Sequence, residues 1–223
     1  MSQSKIVLLN SPKSLGKDTA IYYLRSLGYP LVRREAKGKL HELTMAFFCV
    51  DPERYWEIYA ARVLKETPLE EFEIILEDYE IKVMERSFGE VHIDRFQEHL
   101  PHLAVCWFSL RQAMIYISEV VMKPKFSNNY FGVARAKAIQ DGEIAVDSST
   151  GFVEELPPLI DRLGQENILL IRVHRQGATF EGDSRSYIPD GVITNTVDVE
   201  SVIGYLPQYL QDVESVVNKF LFK

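Results

Sequence analysis

A run of nine residues near the start of the chain has the residue types and spacing of a loop that binds phosphate groups. It reads Ser11-Pro12-Lys13-Ser14-Leu15-Gly16-Lys17-Asp18-Thr19. Such a loop needs backbone N–H groups in a tight turn, a helix N-terminus and a lysine that reaches the terminal phosphates. Gly16 and Lys17 match the second half of the GxxxxGK[ST] pattern. The alternative is a Gly-Lys pair that follows a strand by chance.

Two positions depart from that pattern. Ser11 stands where the first glycine is usual, and Asp18 occupies the Ser/Thr position with Thr19 one residue further on. If the backbone at position 11 must adopt a positive φ, a serine there brings strain that a glycine avoids.

A second basic group accompanies the most apolar strand pattern of the chain. Arg172, Arg175 and Arg185 lie in or after that strand, within a segment that contains glycines. Arginines on a mobile flap suit phosphoryl transfer, which depends on positioning and charge stabilisation. Residues 174–188 are therefore predicted to form a short lid. A surface loop with solvated arginines is the alternative.

Asp147 ends a predicted strand, where P-loop enzymes place an acid that holds Mg²⁺ directly or through water. An aspartate there is also a common helix N-cap, and Ser148, Ser149 and Thr150 compete for that role. Both interpretations stay open.

Arg111 and Gln112 fall in the first turn of a predicted helix that Ser109 caps. A cation at a helix N-terminus opposes the helix dipole, so Arg111 is predicted to bind an anion. Lys37 belongs to another basic cluster, together with Arg34 and Lys39.

Apolar patterns predict the elements that position these residues. Strands are expected at 6–9, 144–147, 167–173 and 191–195, and helices at 18–27, 69–83, 109–121, 128–139, 153–163 and 199–221. Strands that alternate with helices imply a parallel sheet covered on both faces. The prediction is one α/β domain over residues 1–223, a three-layer P-loop fold with a helical insertion at about residues 36–140.

Composition excludes several classes of protein. The 25 basic and 32 acidic residues give a net charge of −7, which argues against a protein that coats duplex nucleic acid. No apolar run reaches the roughly 20 residues that span a bilayer, so no membrane segment is expected. Cys49 and Cys106 stand far apart, which fits reduced thiols in a cytoplasmic protein. The histidines show no zinc spacing, and a monomer and a homodimer both stay open.

Five motifs in one order resemble those of the deoxynucleoside monophosphate kinases of tailed phages, members of the P-loop nucleoside-monophosphate-kinase group. The motifs are GKDT, SLRQAM, VDSSTGFVEEL, ILLIRVHR followed by GDSR, and GVITN. The resemblance covers about residues 1–27 and 109–223, and about residues 30–100 match only loosely.

The resemblance implies an enzyme that transfers the γ-phosphoryl group of ATP to a deoxynucleoside monophosphate (dNMP) with Mg²⁺. The products would be ADP and a dNDP for DNA synthesis, in the host-cell cytoplasm if the protein is phage-encoded. Two alternatives stay open, namely a P-loop kinase of another small acceptor and a non-catalytic nucleotide-binding protein.

The resemblance also implies roles for single residues. The donor nucleotide would be held by Lys13, Ser14, Gly16, Lys17, Asp18 and Thr19, with Asn195 near its base. The acceptor would be held by Arg111, Gln112 and Lys37. The transferring phosphoryl group would be stabilised by Lys17, Arg172, Arg175 and Arg185. Mg²⁺ would be held by Asp18 and Asp147, with Ser149, Glu154 and Glu155 as alternatives to Asp147.

Overall fold

The computed structural model describes residues 3–88, 90–181 and 185–222. The chain divides into two compact units. The first comprises Met1–Lys37 and Asn129–Lys223, and the second comprises Gly38–Asn128.

The helices and strands of the described residues are numbered here in chain order. The strands are β1 Lys5–Asn10, β2 Leu31–Arg33, β3 Glu73–Glu77, β4 His92–Gln97, β5 Leu100–Trp107, β6 Ile144–Asp147, β7 Ile168–His174 and β8 Asn195–Glu200. The helices are α1 Lys17–Ser26, α2 Ala36–Phe48, α3 Pro52–Ala60, α4 Arg62–Glu66, α5 Asp78–Phe88, α6 Leu110–Ile115, α7 Lys123–Lys125, α8 Tyr130–Ala138, α9 Pro157–Leu163 and α10 Leu206–Leu221. A π-helical segment, Tyr116–Met122, follows α6.

The first unit is built on a five-stranded sheet in the order β2-β6-β1-β7-β8. Each neighbouring pair is parallel, so the carboxyl ends of the strands lie at one edge. This edge is where α/β proteins place their ligands.

Strand β1 shows why the sheet has helices on both faces. Val7 and Leu9 belong to a buried cluster with residues of α1 and α10, whereas Ile6 and Leu8 belong to a second cluster with residues of α8 and α9. Alternate residues of a strand point to opposite faces, and here both faces are apolar. The predicted three-layer α/β fold with a parallel sheet is therefore confirmed.

The second unit contains an antiparallel three-stranded sheet in the order β3-β5-β4, together with several helices. The sequence predicts a helical insertion in this part of the chain, and the structure adds this small sheet to its helices. The expected helix at 69–83 is instead β3 followed by α5, because Ile74 and Leu76 pair with Cys106 and Ala104 of β5. The spacing of the apolar residues fits both a helix and a strand, and pairing with β5 selects the strand.

The last strand and helix begin later than the sequence predicts. The apolar residues Val192 and Ile193 pack against the core from a loop, and β8 starts at Asn195. Helix α10 starts at Leu206, with Pro207 in its first turn, where a missing N–H costs nothing. Among the described residues, no helix combines the length and apolar character that crossing a bilayer requires.

Candidate functional site

The predicted phosphate loop connects β1 to α1 in the first unit. Gly16 adopts φ 86°, a left-handed conformation that favours glycine. A Cβ atom at this position would lie 3.2 Å from the ring of Tyr209. The Gly-Lys pair thus stands at a helix start where both backbone conformation and packing favour glycine.

Lys17 is buried and its ammonium group is held by the loop itself. Its Nζ donates to the carbonyl oxygens of Ser11 at 2.7 Å and Pro12 at 3.0 Å, and to Ser11 Oγ at 2.8 Å. The expected strain at Ser11 is absent, because its φ is not positive; the loop residues with a positive φ are Ser14, at 66°, and Gly16, at 86°.

A cleft of about 400 Å³ lies over this loop in the first unit. Its lining comprises Lys13, Ser14, Leu15, Gly16, Lys17, Asp18, Thr19, Lys37, Ser148 and Arg185. The structure thus brings eight predicted site residues together and adds Leu15 and Ser148. Four lining residues are basic and one is acidic, so the cleft suits a polyanion.

Asp18 is the acidic residue of this cleft, and it lies in a charged network. Burial raises the pKa of its carboxyl group, but hydrogen bonds from Arg33 Nη2 at 2.6 Å and Ser148 Oγ at 3.1 Å outweigh this effect. With the positive charges of Arg33 and Lys37, they hold the pKa below its ordinary value. Asp18 is therefore ionised at neutral pH.

Glu35 is a second carboxylate beside Asp18 that sequence reasoning did not single out. Ser148 Oγ lies 2.8 Å from Glu35 Oε1 and 3.1 Å from Asp18 Oδ1, although one hydroxyl has a single proton to donate. Lys37 Nζ lies 3.2 Å from Glu35 Oε2. Two carboxylates and a hydroxyl therefore meet beside the phosphate loop.

Asp147, the other predicted metal ligand, is fully buried and has protein partners on both oxygens. Oδ2 accepts a hydrogen bond from the equally buried Arg135, and Oδ1 accepts from the backbone N–H of Ser149 at 2.5 Å and its hydroxyl at 2.6 Å. The contact with the N–H two residues on is an Asx-turn. Asp147 thus sits in a structural ion pair and turn.

The oxygen atoms of Asp18, Glu35 and Ser148 beside the loop fit a hard cation better than the carboxylate of Asp147 does. Asp18, Glu35 and Ser148 supply the oxygen ligands that Mg²⁺ prefers, and Mg²⁺ commonly takes one or two carboxylates plus substrate phosphates. The described residues contain no group of three or more His, Cys, Asp or Glu side chains that could hold a metal ion alone.

Asn10, at the end of β1, was not predicted as a site residue. Its Nδ2 donates to the carbonyl oxygens of Thr150 and Ser186, both at 3.0 Å, and its Oδ1 accepts from Ile188 N at 2.9 Å. One buried amide thus ties two loops to the strand that precedes the phosphate loop. The signal in the sequence is a polar residue that closes an apolar strand.

Arg185 is the predicted lid arginine that lines the cleft. Its side-chain stem lies over Gly151, where a Cβ atom would stand 2.5 Å from Arg185 Cβ. The neighbouring Ser186 N donates to Gly151 O at 3.2 Å. Residues 182–184 of the predicted lid lie outside the described residues.

The other two lid arginines contact protein groups. Arg172 forms a two-point ion pair with Asp198, at 2.8 and 2.7 Å. Arg175 donates to the carbonyl and hydroxyl oxygens of Ser201, at 2.9 and 2.7 Å, and to Ser14 O at 3.3 Å. Arg175 therefore joins the phosphate loop to the segment after β8.

The position expected for Asn195 is wrong. This residue begins β8 instead of ending the last strand, so it lies at the edge of the parallel sheet opposite the phosphate loop. Its side-chain amide donates to the carbonyl oxygens of Gln165, Glu166 and Ile168. The segment that follows the last strand begins at Ser201.

Arg111 and Gln112 belong to the second unit. Gln112 forms a capping box with Ser109, with reciprocal hydrogen bonds at 3.2 and 2.8 Å. Arg111 forms an exposed ion pair with Glu66, at 2.8 Å. The predicted helix start is confirmed, and the roles of both residues toward an acceptor stay predictions.

No protein-family model matches the chain, and neither does any curated protein. The crystal structure of a gluconokinase from Sinorhizobium meliloti 1021 is 10% identical to this chain, covers 98% of it and 94% of its own chain, and gives a TM-score of 0.43. At this level of similarity, the activity of one protein does not bear on the other. The geometry itself defines a three-layer α/β protein with a basic cleft over a strand–loop–helix motif.

Proposed function

We propose that this protein is an ATP-dependent phosphotransferase that moves the γ-phosphoryl group of ATP to a deoxynucleoside monophosphate. The observation that carries the proposal is the cleft over the phosphate loop. It combines the start of α1 with the side chains of Lys13, Lys17, Lys37 and Arg185. A helix N-terminus and converging cations suit a polyphosphate and the charge that develops during phosphoryl transfer.

The donor base has a candidate position beyond the last strand. A groove of about 310 Å³ there is lined by Glu200, Val202, Tyr205, Gln208, Tyr209 and Asp212. Tyr209 also packs against Gly16 of the phosphate loop. Aromatic and aliphatic side chains suit the face of a base, and Gln208 and Asp212 suit its polar edge. We assign to this groove the role that the resemblance implies for Asn195.

The reaction needs no covalent intermediate on the protein. Lys17 and Arg185 would stabilise the charge on the donor phosphates, and Asp18 with Glu35 would hold Mg²⁺. When bound, Mg²⁺ supplies charge neutralisation on the phosphate oxygens. The carboxylates of Asp18 and Glu35 now contact Arg33, Lys37 and Ser148, so binding would exchange some of these contacts.

Arg111 supports the acceptor side of the proposal through the resemblance and its exposed partner. An exposed ion pair such as Arg111–Glu66 contributes at most about 1 kcal/mol, so an acceptor phosphate can replace Glu66 at little cost. The planar guanidinium group binds a phosphate at two points.

The test is release of ADP from ATP and Mg²⁺ with each of the four dNMPs, with Lys17→Ala as the inactive control. Turnover with at least one dNMP that Lys17→Ala loses supports the proposal. ATP-dependent turnover with other small acceptors alone would redirect the proposal to a different kinase activity.

A second candidate function is nucleotide binding without catalysis. Arg172 and Arg175 favour it, because both have protein partners instead of facing the cleft. The same assay separates the two functions. Tight ATP binding without turnover on any acceptor would support the binding protein, and turnover with any of them would exclude it.

A further inference from the structure

Ser11 places a hydroxyl group in the phosphate loop at a position where the usual glycine has no side chain. Ser11 Oγ lies 2.8 Å from Lys17 Nζ, and two carbonyl oxygens lie within 3.0 Å of the same nitrogen. An ammonium group has three N–H donors, so these three oxygens can engage all of them. Oxygen atoms of the loop itself can thus satisfy Lys17.

The orientation of the Ser11 hydroxyl favours this contact. Its own proton is donated to the carbonyl oxygen of Pro12 at 2.8 Å, which leaves its lone pairs to accept from Lys17. Ser11 is fully buried, so water does not compete for this hydrogen bond. A hydrogen bond from a charged donor is stronger than one between neutral groups.

We infer that Ser11 is a positioning residue that holds Lys17 in a resting conformation, so that a polyphosphate must exchange with the Ser11 hydroxyl to bind Lys17. The inference rests on the proposed function, because it takes a polyphosphate as the ligand of the loop. Since a polyphosphate has to replace this contact, Ser11 lowers the affinity of the loop for polyphosphate. It also lowers the accessibility of the Lys17 amine.

The first experiment measures that accessibility without any phosphate ligand. Lys17 and the exposed Lys13 are methylated with formaldehyde and a borane reductant, and their labelling rates are compared by mass spectrometry. In Ser11→Ala, the rate at Lys17 relative to Lys13 is expected to rise several-fold. An unchanged ratio would overturn the inference.

The matched control is Ser26→Ala at the other end of α1. Ser26 is exposed, and its hydroxyl donates to the carbonyl oxygen of Tyr23 at 2.7 Å. This control deletes a hydroxyl group of the same kind without touching the phosphate loop, and it should leave the ratio unchanged.

The second experiment measures binding of inorganic tripolyphosphate by isothermal titration calorimetry. Loss of the charge-assisted hydrogen bond between Ser11 and Lys17 should tighten binding roughly tenfold in Ser11→Ala. Ser11→Gly, which supplies the usual residue, should behave in the same way and serves if Ser11→Ala is destabilised. Equal or weaker binding by folded Ser11 variants would overturn the inference.

The two experiments separate failure of the inference from failure of the proposed function. Faster labelling of Lys17 without tripolyphosphate binding by any variant would support the resting contact and contradict the proposed function. Equal tripolyphosphate affinities for wild type and Ser11 variants would contradict the inference about Ser11 without contradicting the proposed function.

Discussion

Lys17 and Asp147 are two buried charges beside the carboxyl ends of neighbouring parallel strands, yet their surroundings differ. Lys17 is held by two carbonyl groups and one hydroxyl of its own loop, whereas Asp147 is paired with the full positive charge of Arg135. A buried charge needs a polar or charged partner, and the kind of partner decides whether the charge is also able to bind a ligand.

The difference separates a binding charge from a structural one. Neutral oxygens beside Lys17 can be exchanged for phosphate oxygens, and the cleft lies over the same loop. The Arg135–Asp147 pair has no exposed side-chain surface, so a ligand would have to break an ion pair and a turn to reach Asp147. Lys17 is therefore a candidate for chemistry, and Asp147 is a candidate for holding the loop after β6.

The largest expected effect is loss of turnover in Lys17→Ala. Removing the ammonium group from the cleft should lower kcat by about 10³-fold or more, because preorganised charge stabilisation is lost. Lys219→Ala, an exposed site on α10, is the matched control and should retain wild-type turnover. Steady-state kinetics with ATP and the best dNMP provide the measurement. A Lys17→Ala enzyme with near-wild-type kcat would mean that the loop is not the donor site.

The second largest effect is loss of stability in Asp147→Asn. Removing one charge from this buried ion pair leaves Arg135 with only its longer ion pair to Glu155, at 3.9 Å, and should cost about 3–5 kcal/mol. Asp141→Asn, which removes the exposed partner of Arg162, should cost at most about 1 kcal/mol. Urea unfolding of both variants is the measurement. A small loss of stability together with a much higher Mg²⁺ requirement would instead identify Asp147 as a metal ligand.

The phosphate loop was predictable from the sequence because its signal is local. A strand, a turn, a Gly-Lys pair and a helix start follow one another within residues 5–26, and the hydrogen bonds from Lys17 to Ser11 and Pro12 span at most six residues. The parallel sheet was predictable for a related reason, since strands such as β1 and β7 are apolar on both faces.

The partners of the site residues and the small sheet of the second unit depend on contacts between distant residues, which a single sequence does not specify. The amide of Asn10 contacts residues 140 and 176 positions further on, and nothing near Asp147 singles out Arg135 as its partner. The helix predicted at 69–83 is wrong because the apolar spacing fits both a helix and a strand, and only pairing with β5 decides between them. The fold class and the loop were thus accessible, whereas the partners of the site residues were not.

The exposed Arg111–Glu66 ion pair of the second unit provides a third charge to compare with Lys17 and Asp147. Arg111→Ala should raise KM for the dNMP about tenfold with little change in kcat or in KM for ATP, as expected for a ground-state contact. Arg111→Lys should recover only part of the affinity, because an ammonium group lacks the planar two-point geometry. Arg86→Ala, at an exposed site of the same unit, is the control. An equal effect on ATP and dNMP would refute the assignment to the acceptor.

The smallest expected effect concerns Asp18, the carboxylate that faces the same cleft as Lys17. Its pKa is lowered in the folded protein, so its contribution to stability is fully present above the unfolded pKa of about 3.9. That contribution should disappear as the pH falls through the lower folded pKa. Because the side chain is 59% exposed, the stabilisation should be at most about 1 kcal/mol.

Urea unfolding of wild type and Asp18→Asn between pH 2.5 and pH 6 should show a difference near pH 6 that vanishes toward pH 2.5. Asp161→Asn, at an exposed site on α9, should show no such trend. A wild-type advantage that grows as the pH falls would mean that the Arg33 and Ser148 contacts do not stabilise the ionised Asp18.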